Sequence, residues 1–140
     1  MYDDLNPSDF EDTAKAVIET CATADDVAAR ARLLAEAGLL SVTAPESVGG
    51  LGLSLDFAAP ICVASGAGLL GFPIVEALLL TKALADVDAD LAARIASGEK
   101  IASIAWRGLA EDGIVGGAPM AQEADVALIF KADGSAVLVE

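Results

Sequence analysis

The residues that could do chemistry in this 140-residue chain are few. Histidine is absent, and the only two cysteines, Cys21 and Cys62, are far apart. A disulfide framework needs several paired cysteines, and zinc or haem centres need clustered Cys and His ligands, so no metal ligand is nominated. Without His, any proton transfer must fall to Asp, Glu, Lys or Tyr, or to groups outside these residues. Glu46, Glu76, Glu99 and Glu111 are the carboxylates worth weighing. None stands beside a like charge or in an apolar setting that would raise its pKa, so each reads as an exposed or capping charge. No catalytic residue is nominated.

Two glycine-bearing segments remain. Gly66-Ala67-Gly68-Leu69-Leu70-Gly71 spells GxGxxG after the strand-like Ile61-Cys62-Val63-Ala64, with Asp86 downstream. In a dinucleotide fold the third glycine lies in the first turn of a helix and the acid ends a second strand. Pro73 would then fall inside the helix, and Asp86 follows a helical pattern, so the glycines are expected to be steric, at a close helix crossing or turn. The second segment, Thr43 to Gly52, holds Pro45 and three glycines, which suit tight turns and close backbone approach.

The elements that must position these residues follow from periodicity and punctuation. Phe10, Ala14, Val17, Ile18 and Cys21 form one apolar stripe over residues 8–22, with Ser8 and Glu11 as the expected capping box. A second helix carries Val27, Ala31, Leu34 and Ala35 on one face, with Thr23 as its expected N-cap and Gly38 at its end. Ser54 opens a third helix with Pro60 early in it, and Pro73 suits the first turn of a fourth, to about Ala85. A fifth follows Asp88 and stops at Gly98. From Glu99 onward the grammar is that of short strands, Ile101–Trp106, Val126–Phe130 and Ala136–Val139 among them, with Asp112-Gly113, Gly116-Gly117 and Asp133-Gly134 as turns. The expected class is α+β: an all-α bundle of about five helices over 1–98, then a short, partial antiparallel β-sheet of four strands over 99–140. Such a sheet exposes unpaired edges, and with 55% apolar residues the chain is expected to associate, with itself or with a larger partner subunit.

Charge and hydropathy narrow the partners. The net charge is −14, and the first 26 residues hold eight acids against Lys15. A phosphate backbone would be repelled, which argues against nucleic acid. Met-Tyr-Asp-Asp-Leu lacks the basic and apolar regions of a signal peptide, so the expected compartment is the cytoplasm. Residues 57–75 carry no charge and approach the ~20 apolar residues of a bilayer span, yet Pro60, Pro73 and three glycines interrupt them. They read as two buried helices, and no membrane partner is expected.

Three stretches, taken in order, resemble the acyl-CoA dehydrogenase family. Ala37-Gly38-Leu39-Leu40 through Pro45-Glu46 to Gly49-Gly50-Leu51-Gly52 is similar to its Gly-Leu, Pro-Glu, Gly-Gly-Leu-Gly pattern. Ser97-Gly98-Glu99-Lys100-Ile101 resembles the exit from its helical domain, and Ala124-Asp125-Val126 to Phe130 a strand of its middle β-domain. The resemblance runs from about residue 8 to 140 and implies FAD, an acyl-CoA thioester as substrate and α,β-desaturation as reaction. It also marks departures. Trp106-Arg107-Gly108-Leu109 replaces the family's flavin-holding Thr-Glu-Pro, and the Gly-Ser-Asp loop that normally follows is missing. The family's closing helical domain and its catalytic glutamate have no counterpart here. Trp106 and Arg107 are the cofactor-binding candidates that remain, Arg107 either pairing with a phosphate or solvating a strand edge. Two readings stay open: the amino-terminal part of a longer flavoenzyme, lacking most of its flavin site, or a non-catalytic scaffold, oligomerisation module or partner subunit derived from the family.

Overall fold

The computed structural model describes residues 4–111 and 113–140. Asp112 of the expected Asp112-Gly113 turn and the side chain of Glu111 lie outside the described residues. Five helices come first: α1 (Pro7–Cys21), α2 (Val27–Glu36), α3 (Ala58–Ala67), α4 (Ile74–Ala83) and α5 (Ala89–Ala96). Five strands follow: β1 (Ala102–Ile104), β2 (Arg107–Glu111), β3 (Ile114–Gly116), β4 (Val126–Phe130) and β5 (Ala136–Val139). The architecture is α+β, as the change of grammar at Glu99 predicts.

The stripe of α1 is buried at Ala14, Ile18 and Cys21, and that of α2 at Val27, Ala31 and Leu34. The caps differ from expectation. Asn6, not Ser8, caps α1: its side chain accepts from the Ser8 amide while the Asp9 carboxylate accepts from the Asn6 amide, and Pro7 takes the first helical position. Proline there loses no hydrogen bond and arrives with a helical φ, which shifts the start ahead of Ser8. Asp26, not Thr23, caps α2 by accepting from Ala29 N at 2.7 Å; the Thr23 hydroxyl donates to the Thr20 carbonyl instead. Gly38 has φ +75°, the left-handed turn expected past the helix end.

α1 packs across α3 and against α2, and Phe10 meets Phe57 edge to face at 5.7 Å. α4 is apolar nearly all round because it lies against both α5 and β1, whereas α3, equally apolar, buries Ile61 and Ala64 and leaves Val63 65% exposed on its other face. One core runs through the helices and into the strands, from Leu34, Leu40, Ile61, Leu78 and Ile95 to Ile101, Ile104 and Val126.

The sheet has order β1-β4-β5, with β2 and β3 as a separate antiparallel hairpin. β4 and β5 pair antiparallel through the Asp133-Gly134 turn, but β1 and β4 run parallel, Ala102 facing Val126, so the sheet is mixed rather than all antiparallel. The β2–β3 hairpin returns the chain only to the end at which β1 finished, where the Trp106 amide meets the Gly117 carbonyl; residues 117–125 then run back past Ser103 to Ile101, so β4 starts at the end at which β1 began. The two family-like stretches meet at that point. The Ile101 amide donates to Asp125 Oδ2 at 2.8 Å, and the Asp125 amide donates to the Ile101 carbonyl, also at 2.8 Å.

Candidate functional site

The Gly-Gly-Leu-Gly loop folds back on the segment before it. Leu51 N donates to the Ser41 carbonyl, Leu53 N to the Val42 carbonyl and Gly52 N to the Ala44 carbonyl, the last at 2.8 Å. Gly49 closes the short 3-10 turn Glu46–Val48 with φ +87°, and Gly50 lies so close to Ala44 that a Cβ would stand 2.0 Å from its carbonyl oxygen. Two buried hydroxyls tie this region to α4: Thr43 Oγ1 donates to the Leu78 carbonyl at 3.4 Å, and Thr81 Oγ1, 3.1 Å from the Leu78 carbonyl of its own helix, lies 3.4 Å from the Leu40 carbonyl. Val42, Ala44 and Val48 are buried, while Glu46 is exposed. The segment is a brace among α4, α5 and the core, and the amides of residues 48–53 are spent on its own backbone.

Glu76 departs from the expectation of an exposed or capping charge. It is only 6% exposed, and the Trp106 indole Nε1–H donates to its Oε1 at 2.6 Å. The carboxylate belongs to the first turn of α4, at the positive end of the helix dipole, which favours a negative charge there. Among the described residues it has no ion-pair partner. Cys62, half-buried on α3, feels both effects of this place: burial pushes its thiol pKa up, and the Glu76 charge pushes it further in the same direction. That thiol is held in its protonated, unreactive form. Cys21 is likewise raised, by burial against a smaller opposing pull from Arg30. The other expected surface charge, Glu99, is exposed and takes two N–H groups of Arg94, at 2.7 and 3.0 Å, which hold its carboxyl below the usual range.

Trp106 and Arg107 sit at the passage from β1 into the hairpin. Trp106 is 48% exposed, and its amide donates to the Gly117 carbonyl. The stem of Arg107 lies on Gly117, where a Cβ would come within 2.8 Å of it. By themselves these residues do not fit a flavin. The one indole donor is committed to Glu76, the ring is open to solvent, and a flavin needs a largely pre-formed concave site. Glu76 is the residue that sequence reasoning missed. Its signal was a lone acid inside the apolar run Phe72 to Leu80, an arrangement that burial makes costly without a donor.

The GxGxxG segment is steric, as expected. Gly68 lets α3 close on α1, since a Cβ there would stand 2.5 Å from Ile18 Cγ2, and Gly71 leaves room for the Arg30 guanidinium, which would lie 2.9 Å from a Cβ. Between them, Leu69 holds φ +51°, the left-handed position past a helix end that glycine normally fills, and it is 90% exposed. Leu69→Gly is therefore expected to raise stability by about 1 kcal/mol, because it relieves a left-handed side chain that packs on nothing. Thermal unfolding followed by circular dichroism should show a midpoint higher by about 4 °C.

Among the described residues no group of His, Cys, Asp and Glu is placed to hold a metal ion, and no helix is long and apolar enough to cross a membrane. Likeness to solved structures gives the class: the five helices, the brace loop and the mixed sheet together have an acyl-CoA dehydrogenase-like fold. Its particular neighbours are a crystal structure of the ChsE4-ChsE5 complex from Mycobacterium tuberculosis, with TM-score 0.73 and 23% identity over 95% of this chain, and a variant of the Tcur3481-Tcur3483 steroid ACAD, with TM-score 0.72 and 21% identity over 96%. The chain spans less than half of each, 46% and 47%. No protein-family model and no curated protein matches it.

Proposed function

We propose that this chain is the amino-terminal scaffold of an FAD-dependent acyl-CoA dehydrogenase-like flavoenzyme, with 1–98 as its helical unit and 99–140 as the opening of its β-unit. The observation that carries this reading is the fold itself, which superposes along nearly the whole chain on part of each neighbour. In this role it supplies one wall of the space in which an acyl-CoA thioester is desaturated in the cytoplasm. The catalytic base and most of the flavin contacts come from polypeptide outside these residues. Trp106 and Arg107 would face that polypeptide from the end of β1. The geometry at Glu76 supports the division of labour, because its Oε1 already accepts from Trp106.

The expected result is that the 140-residue chain, purified alone, is colourless and does not oxidise acyl-CoA thioesters in a dye-reduction assay. Joined in one polypeptide to the remainder of the fold, it should be recovered with visible flavin absorbance. A stoichiometric flavin on the isolated chain, or thioester turnover by it, would sink the scaffold reading.

A second reading, a non-catalytic partner subunit, is favoured by one observation: the first neighbour is a complex of two named components. Among the described residues the outer edge of β5 has no strand partner, and this edge, where Val139 is 45% exposed, offers backbone groups for such an association, with a second copy or with a larger subunit. Affinity purification of the chain from its host distinguishes them: the partner-subunit reading expects a stable complex with a separate, complete flavin-binding subunit.

A further inference from the structure

The GxGxxG segment and Arg30 share a cleft for which the proposed function has no use. The cleft, of about 220 Å³, lies between the carboxyl end of α1 and the turn from α3 to α4, and Arg30, Ile18, Leu69 and Leu70 are among the residues that line it. Arg30 Nη1 donates to the Gly71 carbonyl at 3.1 Å, while Nε and Nη2 reach the Cys21 and Ala24 carbonyls at 3.5 Å. All three acceptors are neutral. A guanidinium has five N–H donors, so about two remain after these contacts. Among the described residues no carboxylate stands within ion-pair distance of it, although the chain carries 22 acids.

The second observation is independent of the charge. Leu69, on the same cleft, holds a left-handed backbone conformation in which a side chain is unfavourable, and it presents that side chain to solvent. Strain of this kind persists where the surrounding structure over-determines it, and it clusters at ligand-binding sites. The glycines on either side are the ones the cleft requires: Gly71 admits the guanidinium and Gly68 brings α3 against Ile18.

We propose that this cleft binds a small carboxylate with a short apolar tail, the carboxylate on the free N–H groups of Arg30 and the tail along Ile18, Leu69 and Leu70. A guanidinium presents paired donors in the geometry that a carboxylate accepts, and it is more readily desolvated than an ammonium group. Ile18, Leu69 and Leu70 form the apolar side of an otherwise polar lining, and the tail lies along them. The volume limits the ligand to a small molecule.

The test is a nuclear magnetic resonance titration of the 140-residue chain with sodium hexanoate, sodium acetate and hexylammonium chloride at constant ionic strength. Hexanoate is expected to give saturable shifts at Ala22, Gly68 and Gly71, with at least tenfold tighter binding than acetate, and hexylammonium is expected to give none there. Arg30→Met should weaken hexanoate at least tenfold. Should that variant fail to fold, Leu69→Gly decides, since it keeps Arg30 and is expected to bring hexanoate down to the affinity of acetate. Shifts that do not saturate, equal responses to hexanoate and hexylammonium, or hexanoate binding unchanged in Leu69→Gly would each overturn the proposal.

Discussion

Gly50→Ala is expected to destabilise the chain by about 3 kcal/mol, lowering its thermal midpoint by ~10 °C. The added Cβ would stand 2.0 Å from the Ala44 carbonyl oxygen and 2.4 Å from the carbonyl carbon, both backbone atoms that no rotamer change can move. Relief requires the brace loop to open, and opening it loses the bond from Gly52 N to the Ala44 carbonyl as well as the seat of Val48 in the core. Gly66→Ala is the matching control. It lies in α3, where a Cβ would meet nothing within 4 Å, and alanine there should stabilise by roughly 0.5–1 kcal/mol. Urea unfolding of both variants measures the contrast. Equal stabilities would show that the loop yields more easily than its packing implies.

The second large effect is expected at Glu76. Glu76→Ala removes the acceptor of a hydrogen bond to a charged group and should cost about 2–3 kcal/mol. Trp106 is the only tryptophan in the chain, so its fluorescence reports the local event apart from global unfolding. Its emission should shift to the red and its quenching by acrylamide should rise in Glu76→Ala, as the indole loses its anchor. Glu76→Gln keeps an acceptor oxygen without the charge, and both changes should be smaller. Glu76→Ala with native emission and native stability would remove Glu76 from any role in fixing Trp106.

These two residues show where the sequence is legible and where it is not. Gly50 belongs to a dense local pattern, and its packing follows from a turn that closes within the same ten residues. The helices were equally readable where burial is one-sided: Ala14, Ile18 and Cys21, or Ala31 and Leu34, fall on one stripe because only that stripe meets the core. In α3 and α4 the stripe disappears, and only Pro60, Pro73 and the glycines mark their limits. Caps slip by two or three residues because Asn6 with Asp9 and Ser8 with Glu11 satisfy the same local rule; the proline at position 7 decides between them. The bond from Trp106 to Glu76 spans 30 residues and has no local signature. The parallel pairing of β1 with β4 has none either, since adjacent strands and their turns suggest hairpins, and the return along β1 is made by the irregular residues 117–125. The candidate site was therefore half visible: Trp106 and Arg107 stood out by type, whereas the carboxylate that holds Trp106 did not.

That parallel pairing has a consequence for how the protein is made. Ile101 and Asp125 are 24 residues apart, and β1 has no neighbour in its sheet until β4 has been synthesised. At about 5–20 residues per second, β1 emerges roughly 1–5 s before the strand that completes its hydrogen bonds. The helices, all of which precede β1 in the chain, can assemble during that interval, and α4 lies against β1 in the finished fold. The bundle thus serves as a cradle for an unfinished strand during synthesis, covering its apolar side chains while its backbone waits for a partner.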